Sequence, residues 1–216
     1  MLKRRFNFHW AGLDTCLLPE KALWWPSCRM LVIADLHLGK INHFRRAGVA
    51  APQEASRANM ETLMQVIIEL HPRQVVFLGD LFHSHYNSEW EVLGNTISAF
   101  PEAEFILIKG NHDILSAQQY EKHRIRVEQE MLVEGCVALR HDAVPDSTTF
   151  QLCGHIHPGL TLRGTALASE TFPCFWFGAQ TAVLPAFGAF TGLKRIRPRR
   201  GDKLFIVAEG RVVEVS

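Results

Sequence analysis

The chain has 216 residues, 47% of them apolar and 21% charged, which is the make-up of an ordinary folded domain and excludes a disordered one. Lys and Arg total 23 against 22 Asp and Glu, a net charge of +1, so bulk charge does not hold this protein on nucleic acid or an acidic membrane. No apolar run approaches the 18 residues of a membrane span, and no apolar leader core follows the basic start MLKRRFNFHW, so no secretory leader is expected.

Residues 1–216 read as one domain, since domains of this size are common. Apolar pieces around Phe6, Phe8, Leu17 and Leu18, then Trp24 and Trp25, predict short strands and a turn in the first 29 residues. Met30 to Ala34 is a continuous apolar run ending at Asp35, the pattern of a strand buried on both faces. Met60, Leu63, Met64, Ile67 and Ile68 have helical spacing and predict a helix from Gln53 to Leu70, starting after Pro52. Val75–Leu78 is a second strand, a helix is expected around Ser88 to Phe100, and Phe105–Ile108 is a third strand. This alternation argues for an α/β fold with parallel or mixed strands. Beyond about residue 125 helical spacing fades. Strands are expected at Met131–Val133, Val137–Arg140, Thr149–Cys153, Leu160–Arg163, Cys174–Phe177, Thr181–Leu184, Leu204–Ala208 and Val212–Val215. They read as a mostly antiparallel second sheet stacked on the first.

The five cysteines, Cys16, Cys28, Cys136, Cys153 and Cys174, are odd in number and never spaced C-x-x-C. That fits reduced thiols and a cytoplasmic location. The histidines are more informative. Five of the predicted strands end in groups that bind metals: Asp35-Leu36-His37, Gly79-Asp80, Gly110-Asn111-His112-Asp113, Arg140-His141-Asp142 and Gly154-His155-Ile156-His157. Loops leaving the carboxyl ends of strands converge on one sheet edge, so these groups can meet. Asp35 and His37 are two apart, as are His155 and His157, and in extended chain each pair points to one side. Glycines precede Asp80, Asn111 and His155, where backbone must turn or approach an ion. The donor set Asp35, His37, Asp80, Asn111, His141, His155 and His157 exceeds what one tetrahedral ion takes. It suits two ions about 3.5–4 Å apart sharing a carboxylate. Imidazole and carboxylate without thiolate favour Mn, Fe or Zn. A single D-x-H or H-x-H is weak, but an Asp or His closing a buried strand is costly unless paired or metal-bound, and here the pattern recurs. His9, His43, His71, His85 and His123 lack such company; His123, the rival to His141, sits in a charged stretch that reads as a solvated face.

The pieces DLH, GDLFH, GNHD, RHD and GHIH, over residues 35–157, resemble the calcineurin-like metallophosphoesterase superfamily. That resemblance implies a four-layer αββα sandwich around two mixed sheets. IADLHLGK, GDLFHSH, GHIHPG and CFWFGAQTAVLPAFGAFTG resemble the bacterial ligase-associated DNA metallophosphoesterases. Membership there implies a manganese-dependent DNA endonuclease or phosphodiesterase in DNA repair, working beside a DNA ligase and a helicase. It also implies roles. Asp35, His37 and His157 hold one metal; Asn111, His141 and His155 hold the other; Asp80 bridges. His112 faces the scissile phosphate and protonates the leaving oxygen, Asp113 orients His112, and His83 touches the phosphate. A hydroxide bridging the ions attacks phosphorus in line.

For the substrate, Lys194, Arg195, Arg197, Arg199 and Arg200 crowd one short stretch, and Lys40, Arg45 and Arg46 follow the first metal motif. They are read as contacts to DNA phosphates, single-stranded or duplex; a solvated loop is the alternative at 194–203. Trp24, Trp25 and Trp176 could stack on bases or sit in the core. A phosphatase or cyclic-nucleotide phosphodiesterase on the same metals is the chief rival. The GDxVDRG arginine of protein phosphatases is replaced here by GDLFHSH. A non-catalytic scaffold is disfavoured because the whole ligand set and His112 are present.

Overall fold

The computed structural model describes residues 5–40, 53–83, 86–163 and 169–215, and only the backbone of 53–56. The first sheet has the order β1-β2-β3-β4-β5-β6-β7. β1 (Phe6–Trp10), β2 (Leu13–Leu17), β3 (Ala22–Trp25) and β4 (Met30–Ile33) run antiparallel. From β4 onward, β5 (Gln74–Leu78), β6 (Glu104–Ile108) and β7 (Ile125–Glu128) are parallel. Parallel neighbours need crossovers. These are supplied by α1 (Gln53–Leu70), α2 (Ser88–Ser98) and α3 (Ala117–Lys122).

The continuous apolar runs are buried on both faces, as their pattern predicts. Leu31, Ile33, Val75, Phe77, Phe105 and Leu107 face the helices, where Leu63 and Ile67 of α1, Trp90 and Leu93 of α2 and Tyr120 of α3 meet them. The alternate residues Met30, Val32, Val76, Leu78, Ile106 and Ile108 face the second sheet. The short α3 and β7 escaped the sequence reading because AQQYEK is a turn and a half long and IRVE buries only its first residue fully.

The second sheet runs β14-β11-β12-β13-β10-β9-β8, with β15 pairing β12 and β16 pairing β15. Its strands are β8 (Met131–Val133), β9 (Val137–Arg140), β10 (Phe150–Cys153), β11 (Pro158–Arg163), β12 (Ser169–Phe177), β13 (Thr181–Val183), β14 (Lys194–Arg195), β15 (Lys203–Ala208) and β16 (Arg211–Val215). Most pairings are antiparallel, but β9, β10 and β13 form a parallel centre. Those strands bring His141 and His155 out at one edge. All described helices pack on the first sheet. The outer face of the second carries strand side chains, Cys174, Ile196, Leu204 and Ile206 with Leu160 and Phe172 against them.

The layer between the sheets is apolar and aromatic. Phe8 of β1 lies 4.7 Å from Phe177 and Phe6 lies 4.9 Å from Phe205, ring centre to ring centre. Trp24 and Trp25 belong to the core, and the Trp176 indole N–H donates to Asp202, so these rings are structural. All five cysteines are free. Among the described residues no helix is long and apolar enough to cross a membrane.

Trp25 is fully buried, and its indole N–H donates to the Thr15 hydroxyl at 3.0 Å. Thr15→Val keeps the shape but leaves that donor unpaired. We expect unfolding free energy to fall by about 1–3 kcal/mol, read as a lower urea midpoint at unchanged slope.

Candidate metal centre

The site is built where the carboxyl ends of β4, β5, β6, β9 and β10 meet. The loops after β4 and β5 zip together: the Asp35 N–H donates to the Gly79 carbonyl and the His37 N–H to the Asp80 carbonyl at 2.9 Å. Extended backbone does not explain the pairing of Asp35 with His37, or of His155 with His157. The φ values are 53° and 50° for the first pair, 69° and 48° for the second, and 49° for Asp80. All five are left-handed, a conformation costing roughly 1–3 kcal/mol at a non-glycine residue and concentrated at functional sites. The spacing of two is right, but the chain coils to swing both side chains inward.

Two clusters result. Asp35, His37 and His157 form one; Asp80, His141 and His155 form the other; in each, one donor atom per residue lies within 4.8 Å of the others. In the first, His37 Nε2 is 3.2 Å from His157 Nε2, which is 3.5 Å from Asp35 Oδ1. In the second, His141 Nε2 is 3.1 Å from His155 Nδ1 and 3.4 Å from Asp80 Oδ1. Asp80 faces both clusters, because its Oδ2 lies 3.8 Å from His37 Nε2.

Backbone carbonyls set the tautomers. His141 Nδ1 is 2.8 Å from the Leu78 carbonyl, and His157 Nδ1 is 3.2 Å from the Gly192 carbonyl. A carbonyl only accepts, so both Nδ1 atoms carry a proton, and in the neutral ring each Nε2 then presents a lone pair. In that form the lone pairs face the carboxylates of Asp80 and Asp35, acceptor against acceptor. Burial pushes the His37 imidazole down to about 2, so that ring is neutral, and its buried Nδ1 has no protein partner. A cation between these atoms removes the conflict. Ligands about 2.0–2.2 Å from an ion stand roughly 3–3.5 Å apart, as the donors do here. The thiol of Cys153, at the end of β10, takes no part: burial pushes it up to about 12, so it keeps its proton. The donors therefore fit divalent ions.

Two glycines are required by this packing. A Cβ on Gly79, whose φ is 73°, would stand 2.1 Å from His141 Nδ1, and one on Gly110 would stand 2.5 Å from the Asp80 nitrogen.

Around the clusters the expected residues take varied places. The His112 N–H donates to Asp80 Oδ1 at 3.0 Å, and its half-exposed ring puts Nε2 4.0 Å from Asp80 Oδ2. The His83 ring lies 4.5 Å from that of His112. Asn111 is exposed in the turn between Gly110 and His112. The expected pairing of Asp113 with the His112 ring needs correcting. Asp113 is fully buried, and its oxygens accept from the backbone N–H groups of Leu81, Phe82 and Gly110. It staples the loops after β5 and β6 together, and burial pushes its carboxyl above the usual range. His123 is likewise no solvated residue. It is buried against Trp90, its ring filling the space beside Gly94 of α2, far in role from His141.

Lys40 sits at the rim, its N–H donating to the His37 carbonyl. Arg45 and Arg46 lie outside the described residues. Lys194 and Arg195 form β14, hydrogen-bonded beside the site: the Lys194 N–H donates to the His157 carbonyl at 2.9 Å. Arg197, Arg199 and Arg200 are exposed beyond it.

Sequence reasoning missed the wall of the first cluster, residues 186–194. The Gly188 N–H donates to the Asp35 carbonyl, and the Gly192 carbonyl orients His157. The Gly188 carbonyl accepts from Lys21 Nζ at 3.3 Å. Residues 186–192 enter the sequence reading only within CFWFGAQTAVLPAFGAFTG, as a resemblance with no site role attached.

Comparison with known proteins gives the class. Residues 28–156 match the calcineurin-like phosphoesterase family, and the chain belongs to that family of metal-dependent phosphoesterases. More particularly, it is similar to the nuclease MPE of Pseudomonas putida, at 30% identity and a TM-score of 0.84, over 98% of this chain and 100% of that one. The Aquifex aeolicus protein AQ665 matches at 19% identity and a TM-score of 0.44 over 64% of this chain and 82% of its own. The E. coli phosphoesterase Yfce matches at 12% and 0.44 over 86% and 97%. A comparison with curated proteins finds no match.

Burial pushes the Lys21 amine down to about 8 from 10.5. Between those values the unfolded chain holds a proton that the fold has released, so stability rises with pH there and is lost again as pH falls through about 8. The rise is at most about 1.4 kcal/mol per pH unit. Urea midpoints from pH 7.5 to 10.5 should show Lys21→Met lacking this part of the rise.

Proposed function

We propose that this chain is a binuclear metal-dependent phosphodiesterase that cuts DNA. The observation that carries the reading is the pair of three-residue clusters of carboxylate and imidazole donors, with Asp80 of the second standing 3.8 Å from His37 of the first. Asp35, His37 and His157 would hold one ion. Asn111, His141 and His155 would hold the other, with one Asp80 oxygen toward each. The donors suit Mn, with Fe or Zn as alternatives. When bound, such ions supply a hydroxide near neutral pH and neutralise phosphate oxygens. One apolar layer joins both sheets, which supports a single domain over residues 1–216.

The chain's own residues do the rest. Leu78 and Gly192 carbonyls hold the imidazoles with Nε2 inward. The half-exposed His112 ring stands at the open side, fixed through its N–H on Asp80, and gives a proton to the departing oxygen. His83 packs against it on the phosphate side. Asp113 positions His112 through the backbone loops it staples.

DNA as substrate draws support from the similarity to the nuclease MPE and from the basic strand sewn to His157. A cytoplasmic role in DNA repair, beside a DNA ligase and a helicase, extends this reading on the motif resemblance.

The test is elemental analysis of the purified protein joined to a screen of Mn, Zn, Fe, Co, Ni and Mg against a phosphomonoester, a phosphodiester, a cyclic nucleotide and single- and double-stranded DNA. Two ions per chain and DNA cleavage are expected. Turnover of monoesters or cyclic nucleotides alone sinks the nuclease reading. His112→Ala should lower diester turnover by about 10²–10⁴-fold with both ions retained; loss of the ions would refute its proton-donor role. Reversing charge at Lys194, Arg195 and Arg197 should weaken DNA cleavage and flatten its salt dependence, while a small chromogenic diester is hydrolysed at the original rate.

A further inference from the structure

The wall at residues 186–194 carries a feature that metal binding does not use. Phe190 is 40% exposed, a large apolar ring left toward solvent beside a charged site. It lines a recess with Leu36, His37, Lys40, Asn59 and Thr191. The recess holds about 10 Å³, too little for more than a single water. Nothing the size of a base can enter it, but a flat group can lie across it.

The ring stands on a fixed support. Before it, the Phe187 and Gly188 N–H groups donate to the Ala34 and Asp35 carbonyls, and the Ala189 N–H donates to the Asn59 side chain. A Cβ on Gly188 would fall 2.7 Å from the Leu36 carbonyl, so the loop seats tightly against the first cluster. After it, Gly192 holds His157. Lys40 stands on the same recess, its ammonium within the electrostatic reach of Asp35 and Asp80. An aromatic face, a cation and a neighbouring phosphate-binding centre are the parts a nucleotide occupies: base on the ring, phosphate at the cation.

We propose that Phe190 is a stacking platform for a nucleobase flanking the scissile phosphate, on the Asp35–His37–His157 side of the centre. This rests on the DNA reading above and deepens it. Phe190 adds affinity for the nucleotide without touching the reacting atoms, so its loss acts mainly on KM.

The test uses a thymidine oligomer with one cleavable linkage, its other linkages being methylphosphonates, and the same oligomer with the flanking bases removed. Wild-type protein should cleave the complete oligomer about tenfold or more better in kcat/KM, the range of a base–aromatic stack. Phe190→Ala should erase that difference, lowering cleavage of the complete oligomer to the level of the base-free one. Phe190→Trp should restore it. Metal content and urea midpoint of both variants are checked against wild type. If Phe190→Ala slows both oligomers equally, or neither, the stacking role is overturned while the nuclease reading stands. If wild-type protein cuts duplex DNA but neither oligomer, the stacking role is overturned while the nuclease reading stands; if it cuts neither single- nor double-stranded DNA, the nuclease reading itself has failed.

Discussion

Carboxylate and imidazole acceptors are forced against one another at the seam where two sheets end. Asp35 faces His157 and Asp80 faces His141 at 3.5 and 3.4 Å, while backbone carbonyls hold the ring protons on the far side. Buried lone pairs in such contact are costly. The stable apolar layers on both sides of the first sheet hold them there. The fold keeps these donor atoms turned toward one another, an arrangement that a divalent cation would relieve.

The backbone shows the same stress. Left-handed φ values at Asp35, His37, Asp80, His155 and His157 are a concentration that ordinary turns would assign to Gly or Asn. Neighbouring hydrogen bonds over-determine them: Gly79 and Asp80 carbonyls on the β4 loop, Asp35 on the His155 N–H, and Asp113 on three loop N–H groups. Each donor-bearing loop is therefore anchored to another by hydrogen bonds. Asp113 is the clearest case. Its carboxyl is withdrawn from solvent and from the His112 ring, yet it ties together the turns that carry Asp80 and His112.

Much of this was legible in the chain itself. The unbroken apolar runs at β4, β5 and β6 announced strands buried on both faces, and the helical spacing from Gln53 to Leu70 located α1. Each run stops at a polar residue, and six of these, Asp35, His37, Asp80, His141, His155 and His157, are the ones the fold gathers into two clusters, while Asn111 stands exposed beside them. Less legible were α3 and β7, too short for a periodic signal, and the burial of His123, whose charged neighbours point outward while its ring packs under α2. The two-residue spacing in DLH and HIH suggested the right convergence for the wrong reason, since here left-handed residues at both ends of each motif, and not extended chain, turn the side chains inward.

Residue order alone determined which strands are doubly buried, where they end and which polar side chains stand at those ends, because hydrophobic periodicity and the cost of burying charge are local properties. Only the tertiary structure decided the rest. Which donors share a cluster depends on loops from two sheets that meet in space, as far apart in the chain as His37 and His157, 120 positions. Which imidazole nitrogen faces inward depends on carbonyls of Leu78 and Gly192 that carry no sequence signal. That Asp113 grips backbone amides, and that Phe190 lines one recess with His37 and Lys40, follow from loops packed through space, where contact depends on the register of two sheets and on no pattern along the chain.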